Sequence, residues 1–424
     1  FFKEGSMSRI ISVLACLVLF LSACSQEQTE TFVCQDQLGC VTLAPGEPVK
    51  IISMHVLSGD LARSGRENVN TAKLAAADRG KQIHGHPVLI IPEDSQCTRE
   101  GGFVIAQKVV TDPSVVGVHG TTCSVSSVPA AEIISEAGLS MISGSVTSPS
   151  LTSPNDHKGR HWQPGFFRTA ANDKHMGYAA AYFAKNELGL VKAATIHDGD
   201  PYTRTLISVF ETEFKNLGGR IVFSGEVTRS DRDMGPLLEA VQRSEADILF
   251  FPIFPPTGDR IVLQAKQSKS LENLALMSGD GLMNSAFIQR VGSAAQGMYF
   301  VIPMLKQSKA ARDFLVRYAQ TFNQTIEGVF YGHHYDAARI LLDSIEKAAV
   351  KTEDGLLVIG RQDLRDAIRS LDNYKGLTGD LSCDEYGDCG VPRYKLVRID
   401  DSRDNFEAIS ENIISVFERE NLNP

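Results

Sequence analysis

Short β-rich runs alternate with helical patterns along most of this 424-residue chain, and this alternation is the strongest constraint on its fold. The stretches between the runs carry apolar residues at helical spacing, for example Val69, Ala72 and Ala76. Strand starts recur about every 25 to 40 residues, which is typical of βαβ units in a parallel sheet covered by helices on both faces. The eight predicted strands are residues 49–56, 88–91, 115–119, 139–143, 192–197, 220–224, 248–251 and 274–278.

A segment rich in Pro and Gly interrupts this rhythm halfway along the chain. Residues 147–167 contain Pro149, Pro154 and Pro164 together with two glycines. Eight βα units fit either one closed barrel or two open sheets, and an interruption at the midpoint favours two open sheets. The sequence therefore predicts an α/β protein of two lobes, each built on a doubly wound parallel sheet.

Composition and charge exclude several functions. The chain has 42 Lys and Arg against 51 Asp and Glu, a net charge of −9, and 43% hydrophobic residues, enough for two or three cores. A nucleic-acid partner is excluded because phosphate binding needs a basic stripe, and no Lys/Arg run exceeds two residues. No Gly-x-Ser-x-Gly, His-Glu-x-x-His, Walker loop or complete Gly-x-Gly-x-x-Gly occurs. We therefore predict neither enzymatic activity nor a cofactor.

The start of the chain has the parts of a secretory signal. Arg9 precedes the apolar residues 10–21, a run too short to span a membrane comfortably. The run ends in Leu-Ser-Ala-Cys24, which resembles the bacterial lipobox, whose Cys is acylated. We predict a signal peptide with an upstream extension over residues 1–23, lipidation of Cys24, and a tether over residues 24–47. The alternative is a plain secretory signal in which Cys24 is incidental.

The cysteines independently support export. Cys16 lies in the apolar run and Cys24 is the predicted anchor, which leaves six of the eight. Two pairs stand six positions apart with Gly between them, a spacing that a small disulfide loop can close. No Cys-x-x-Cys occurs and no His lies at ligand spacing from these cysteines, so we predict no metal site. The predicted disulfides are Cys34–Cys40, Cys383–Cys389 and, by elimination, Cys97–Cys123.

Polar loops follow four of the predicted strands, namely residues 120–127, 144–149, 198–202 and 279–281. In open parallel sheets, ligands bind beyond the carboxyl ends of the strands. The first two loops offer hydroxyl and N–H donors for a carboxylate, and Asp280, flanked by glycines, offers a negative charge. Together they predict a receptor for a small zwitterion. The alternative is that these residues cap helices, with Asp280 capping a helix near residues 284–291.

These features resemble the branched-chain amino acid binding proteins that serve ATP-driven importers and have the type I periplasmic binding protein fold. The resemblance extends from Cys34 to Ile399, and the order and spacing of its parts are specific. The matching stretches are Leu57-Ser-Gly59, His119 to Pro129, Met141-Ile-Ser, Pro149 to Thr152, Phe167-Arg-Thr169, Ile196-His-Asp198, Ser278 to Gly281, Tyr335-Asp-Ala337 and Gly376 to Gly379.

The resemblance implies lobe boundaries and ligand contacts. Three crossings, near residues 167–170, Tyr299 and Leu377, would join a first lobe (48–168 plus 301–377) to a second (169–300 plus 378–424). The family also tends to link the positions of Cys97 and Cys123. The implied ligand-binding residues are Ser124 and Thr147 for the carboxylate, with N–H groups around Cys123 and Val146, Tyr202 closing from the second lobe, and Asp280 for the ammonium.

Two departures from the family affect the side-chain pocket. Ser64 stands where an aromatic residue is often found, and Phe254-Pro-Pro256 replaces a loop with Gly and Tyr. The identity of the amino acid therefore does not follow from the resemblance.

The implied function is an extracytoplasmic lipoprotein that captures a small amino acid or similar zwitterion. The lipid would hold this protein at the membrane, where it would deliver the ligand to the permease subunits of an ABC transporter. The alternative is an extracellular sensing module. Transport and sensing use the same closing motion of the lobes, so the sequence does not distinguish them. His333 and His334 are adjacent, and we interpret them as surface or lobe-packing residues.

Overall fold

Helices and strands alternate in the computed structural model, which describes residues 33–401 and 405–418. The predicted signal peptide and Cys24 lie outside these residues. The strands are β1 Cys40–Leu43, β2 Val49–His55, β3 Gln82–Ile83, β4 His86–Asp94, β5 Val115–Gly120, β6 Met141–Ser143, β7 Phe166–Arg168, β8 Lys192–His197, β9 Arg220–Glu226, β10 Ile248–Phe250, β11 Ala275–Gly279, β12 Tyr299–Pro303, β13 Ala349–Lys351, β14 Leu357–Gly360, β15 Tyr374–Lys375, β16 Asp380–Leu381, β17 Arg393–Arg398 and β18 Ile413–Glu418. The α-helices are α1 Ala62–Asp78, α2 Arg99–Thr111, α3 Ser124–Glu136, α4 Asp173–Tyr182, α5 Pro201–Asn216, α6 Gly235–Arg243, α7 Thr257–Gln267, α8 Ser285–Val291, α9 Lys309–Phe322, α10 Tyr331–Ala348, α11 Arg361–Arg369 and α12 Phe406–Glu411.

The first sheet has six strands in the order β3-β4-β2-β5-β6-β7. Its pairs are parallel except β3 with β4. Helices cover both faces, and successive residues of the central strand show this directly. Ile51 packs in a core with α1 and α10, while Ile52 packs in a core with α2 and α3. Burial on both faces explains why these strands are apolar runs without polar alternation.

The second sheet has seven strands in the order β18-β17-β12-β11-β10-β8-β9. Strands β8 to β12 pair in parallel, and β17 and β18 add an antiparallel edge. Leu249 faces a core with α6, α7 and α8, whereas Phe250 faces a core with α4 and α5. The predicted type I periplasmic binding protein fold, with two doubly wound sheets, is confirmed, and all eight predicted strands are present.

The chain passes between the two sheets three times. The passages lie between Arg168 and Asp173, between Pro303 and Lys309, and between Cys389 and Arg393. The second and third come later than the resemblance implied, because β12 stays in the second sheet to Pro303 and Cys389 still packs in the first core.

The expected tether also ends earlier than residue 47. Strand β1 pairs antiparallel with β14, and both Val41 and Leu43 are buried in the first core. Burying these two side chains stabilises the strand on the lobe, so residues 40–43 are part of the folded body.

Six cysteines are oxidised, as the sequence predicts. Cys97–Cys123 and Cys383–Cys389 are disulfides, and Cys34 and Cys40 are each disulfide-bonded. Among the described helices, none combines the length and the apolar character needed to cross a membrane.

Candidate functional site

A cleft lies between the carboxyl ends of the parallel strands of the two sheets, and both lobes contribute residues to its lining. Residues from the first lobe that line it are Asp60, Leu61, Arg63, Ser64, Glu67, Asn68, Thr122, Cys123, Ser124, Ser145, Thr147 and Glu327 to Phe330. Residues from the second lobe are Tyr202, Phe254, Asp280, Gly281, Met283, Asn284 and Ala286.

The two sides of the cleft touch each other beside it. The Ser148 hydroxyl lies 3.1 Å from the Thr205 hydroxyl, and the Arg229 guanidinium donates to the Cys97 carbonyl at 3.1 Å. The structure therefore shows the lobes in direct contact, and a ligand in the cleft would have little access to bulk water.

Of the six residues proposed from the sequence, all but Val146 line the cleft. The Val146 N–H donates to the Ser143 hydroxyl at 3.1 Å, and its carbonyl accepts from Arg168 at 3.1 Å. Both backbone groups of Val146 are thus occupied in shaping the loop that carries Thr147.

The first-lobe side of the cleft presents hydroxyl groups and a helix N-terminus. Ser124 is the first residue of α3, and the preceding Cys123 makes no side-chain capping bond. Partial positive charge at a helix N-terminus attracts anions. Thr147 follows β6 and, like Ser124, is almost fully buried at the cleft. This side can bind a carboxylate.

The second-lobe side presents a carboxylate. Asp280 follows β11, and the Tyr202 hydroxyl donates to its Oδ1 at 3.0 Å. Tyr202 is held at the start of α5 because the Asp200 side chain accepts from its N–H at 2.9 Å. Burial raises the pKa of Asp280 to about 7, while the Tyr202 hydrogen bond acts in the opposite direction.

The alternative reading of Asp280 as a helix cap is wrong. The N-cap of α8 is Asn284, whose side chain accepts from the Phe287 N–H at 2.8 Å. Asp280 is therefore available to a ligand in the cleft.

Sequence reasoning missed a second carboxylate, Asp173, at the start of α4. It is fully buried, and the Thr147 hydroxyl lies beside it. Burial, and then the negative charge of Asp280, raise the pKa of Asp173 well above its ordinary value. The Thr147 hydroxyl and the charge of Arg168 oppose this, but Arg168 is paired with Asp388. Asp173 does not line the cleft, so a ligand there would contact the carboxylate of Asp280 and not that of Asp173.

The end of the cleft near α1 is polar and charged. Glu67 is buried and accepts from the backbone N–H groups of Glu327 at 3.1 Å and Gly328 at 2.8 Å. Arg63 pairs with Glu67 at 3.2 Å and with Glu327 at 2.7 Å. Ser64 also lines this end. Beyond this end, the cleft is lined mainly by apolar surface.

Three buried histidines lie behind the floor of the cleft. His55 contacts the Thr122 hydroxyl at 3.0 Å, and His334 contacts the Ser145 hydroxyl at 2.9 Å. The ring of His119 packs against both of the other rings, which also contact each other. His333 and His334 are both buried, so of the two interpretations offered, the surface one is wrong and packing within the lobe agrees with the structure.

Comparison with known proteins agrees with this geometry. Residues 48–404 match the family described as "Periplasmic binding protein". The Leu/Ile/Val-binding protein of Escherichia coli (strain K12) is 25% identical over 310 residues, which cover 72% of this chain and 82% of that relative.

Two solved structures show the same fold. The leucine binding protein LivK from Thermotoga maritima superposes with a TM-score of 0.75 at 22% identity, covering 88% of this chain and 100% of that one. A solute binding protein from R. palustris in complex with 4-hydroxybenzoate gives a TM-score of 0.73 at 18% identity, covering 88% and 97%.

Proposed function

This chain belongs to the periplasmic binding protein family, and on that basis we propose that it captures an amino acid in its cleft and delivers it to an ABC importer. One observation carries the proposal: donors suited to a carboxylate face Asp280 across the cleft. The curated relative named a Leu/Ile/Val-binding protein supports the same ligand class. The family and the cleft both favour binding without catalysis.

The carboxylate of Asp280 distinguishes an amino acid from a simple organic acid. The R. palustris protein was solved with 4-hydroxybenzoate, a ligand that has a carboxylate and no ammonium. In this chain, such a ligand would lie beside Asp280 with nothing to offset the charge of this carboxylate. An ammonium supplies that charge and avoids leaving an unpaired ion in a low-dielectric site.

Calorimetry with matched ligands tests the proposal. The full chain is titrated with each of the common amino acids, and the tightest binder is then compared with its carboxamide and with its deaminated acid. Both analogues should bind much more weakly, because each lacks one of the two charges. Equal affinity for the deaminated acid would refute an amino acid receptor.

Ligand affinity should fall as the pH drops below about 7, because protonated Asp280 (pKa about 7) cannot pair with an ammonium. The limiting slope is about tenfold per pH unit. Calorimetry at about pH 6 in buffers of different ionisation enthalpy should show proton release on binding. Asp280→Asn serves as the control and should flatten the profile. A parent protein whose affinity is constant from about pH 5 to 8 would contradict this prediction.

We also propose that the mature chain is anchored through lipid on Cys24, a residue outside the described ranges. Cys24→Ser in the full precursor should move the protein from the membrane fraction to the soluble fraction, because the acyl groups provide the apolar membrane contact. Cys16→Ser, in the segment predicted to be removed, is the matched control and should leave fractionation unchanged. Retention of the Cys24→Ser protein in the membrane would show that residues 7–23 remain as a signal anchor.

A further inference from the structure

The three buried histidines come from separate elements that meet behind the cleft floor. His55 ends β2, His119 lies near the end of β5, and His334 is in the first turn of α10. All three are completely buried. One ring nitrogen from each lies within 4.8 Å of the corresponding nitrogen of the other two. Three imidazoles are therefore gathered around one small volume in the first lobe.

Each ring also has a hydroxyl group next to one of its nitrogens. The contacts join His55 Nδ1 to Thr122 Oγ1 at 3.0 Å, His119 Nδ1 to Ser53 Oγ at 3.2 Å, and His334 Nε2 to Ser145 Oγ at 2.9 Å. His119 Nε2 also lies 3.1 Å from the His334 carbonyl, which can only accept, so this nitrogen carries the hydrogen and the lone pair of His119 is on Nδ1. The nitrogens that can face an ion are therefore His55 Nε2, His119 Nδ1 and His334 Nδ1. Metal-binding histidines have this arrangement, in which a partner on one nitrogen sets the tautomer and the other nitrogen faces the ion.

The three rings are close to one another, with centroids 4.8 to 5.2 Å apart. His55 Nε2 lies 3.2 Å from His119 Nδ1, and His334 Nδ1 lies 3.3 Å from His119 Nε2. A neutral imidazole carries one hydrogen and one lone pair, so each ring can offer one nitrogen to an ion.

We propose that His55, His119 and His334 bind one late first-row divalent cation, with zinc as the reference ion. Neutral imidazole nitrogens suit zinc, copper and nickel, whereas calcium and magnesium require oxygen ligands. The ion would join the ends of β2 and β5 to the start of α10. It would thereby hold Thr122 and Ser145, which line the cleft, in fixed positions.

Metal uptake by the untagged full chain tests this inference. Protein dialysed against a chelator is titrated with zinc, and bound metal is measured by elemental analysis, with no amino acid present. We expect one equivalent per chain, a higher melting temperature, and visible absorption when cobalt(II) replaces zinc. Less than stoichiometric uptake by the parent protein would overturn the proposal. The three histidines would then be interpreted as a neutral hydrogen-bonded network that links Thr122 to Ser145. That result would not affect the proposed binding of an amino acid.

Variants then locate the site. His119→Asn should abolish stoichiometric uptake, whereas His333→Asn should retain it, because His333 is equally buried on the same helix but outside the cluster. Thr122→Val keeps all three ligands and should weaken zinc binding by about 10-fold to 100-fold. Unchanged uptake by His119→Asn would refute the assignment. Circular dichroism verifies folding, and the titration of the parent protein does not depend on any variant.

Discussion

Asp280→Asn should weaken binding of the amino acid by about 2 to 4 kcal/mol, roughly 30-fold to 1000-fold. The substitution preserves the shape of the side chain but removes the charge that would pair with the ammonium. Inside the closed cleft this ammonium loses most of its water, and an unpaired buried ion is costly. Isothermal titration of the parent and variant proteins with the same ligand measures the effect.

Ser124→Ala provides the comparison on the opposite side of the cleft. It should cost only about 1 to 1.5 kcal/mol, because neighbouring donors still hold the carboxylate. Neither substitution should change the melting temperature of the empty protein appreciably, since Asn284 caps α8 in place of Asp280. Parent-like affinity in Asp280→Asn would show that this carboxylate does not contact the ligand.

Asp388→Asn should lower the free energy of unfolding by about 3 to 5 kcal/mol, because it leaves the guanidinium of Arg168 buried without a counter-charge. Arg168 is completely buried and pairs with Asp388. It also donates to the carbonyls of Val146 at 3.1 Å and Ser148 at 2.9 Å. These bonds hold the loop that carries Thr147, so we expect ligand affinity to fall as well. Chemical denaturation of both proteins measures the loss.

The same ion pair predicts a response to acid. Burial alone would raise the pKa of Asp388, but the charge and hydrogen bonds of Arg168, with hydrogen bonds from Asn172 and Thr152, hold it below its ordinary value. A depressed carboxylate pKa stabilises the fold at neutral pH, and this contribution disappears as the pH falls through the folded-state pKa. Asp388→Asn should therefore be less sensitive to acid than the parent.

Glu245→Gln is the matched control for Asp388→Asn. Glu245 pairs with Lys192 at 2.9 Å, but its side chain is 80% exposed. Exposed ion pairs contribute little because water screens them. Equal losses of unfolding free energy in Asp388→Asn and Glu245→Gln would show that the burial of Arg168 does not explain the stabilising effect of Asp388.

Several features follow from short stretches of sequence. Eight strands of the two sheets are apolar runs bounded by turn residues, and this local pattern predicts them without tertiary information. The pattern did not predict the other strands of these sheets, β3, β7, β12, β17 and β18. Ser124, Thr147 and Asp280 were identifiable because each follows a parallel strand, and the carboxyl ends of such strands converge. The oxidised cysteines were predictable from spacing and number, since small loops leave few pairings.

Other features depend on which distant segments meet. Asp173 looks like an ordinary acidic residue in the first turn of a helix, and only the approach of β11 places Asp280 beside it. His55 and His119 are 64 positions apart, and His334 is 215 positions beyond His119, so no local pattern connects them. The sequence alone determined the two α/β lobes and the polar loops at the carboxyl ends of their strands, because periodicity and turn chemistry operate over a few residues. Only the tertiary structure decided that Asp173 and Asp280 are neighbours, that the three histidines cluster, and that the N–H of Val146 is occupied. Burial, neighbouring charges and hydrogen-bond partners are set by long-range packing.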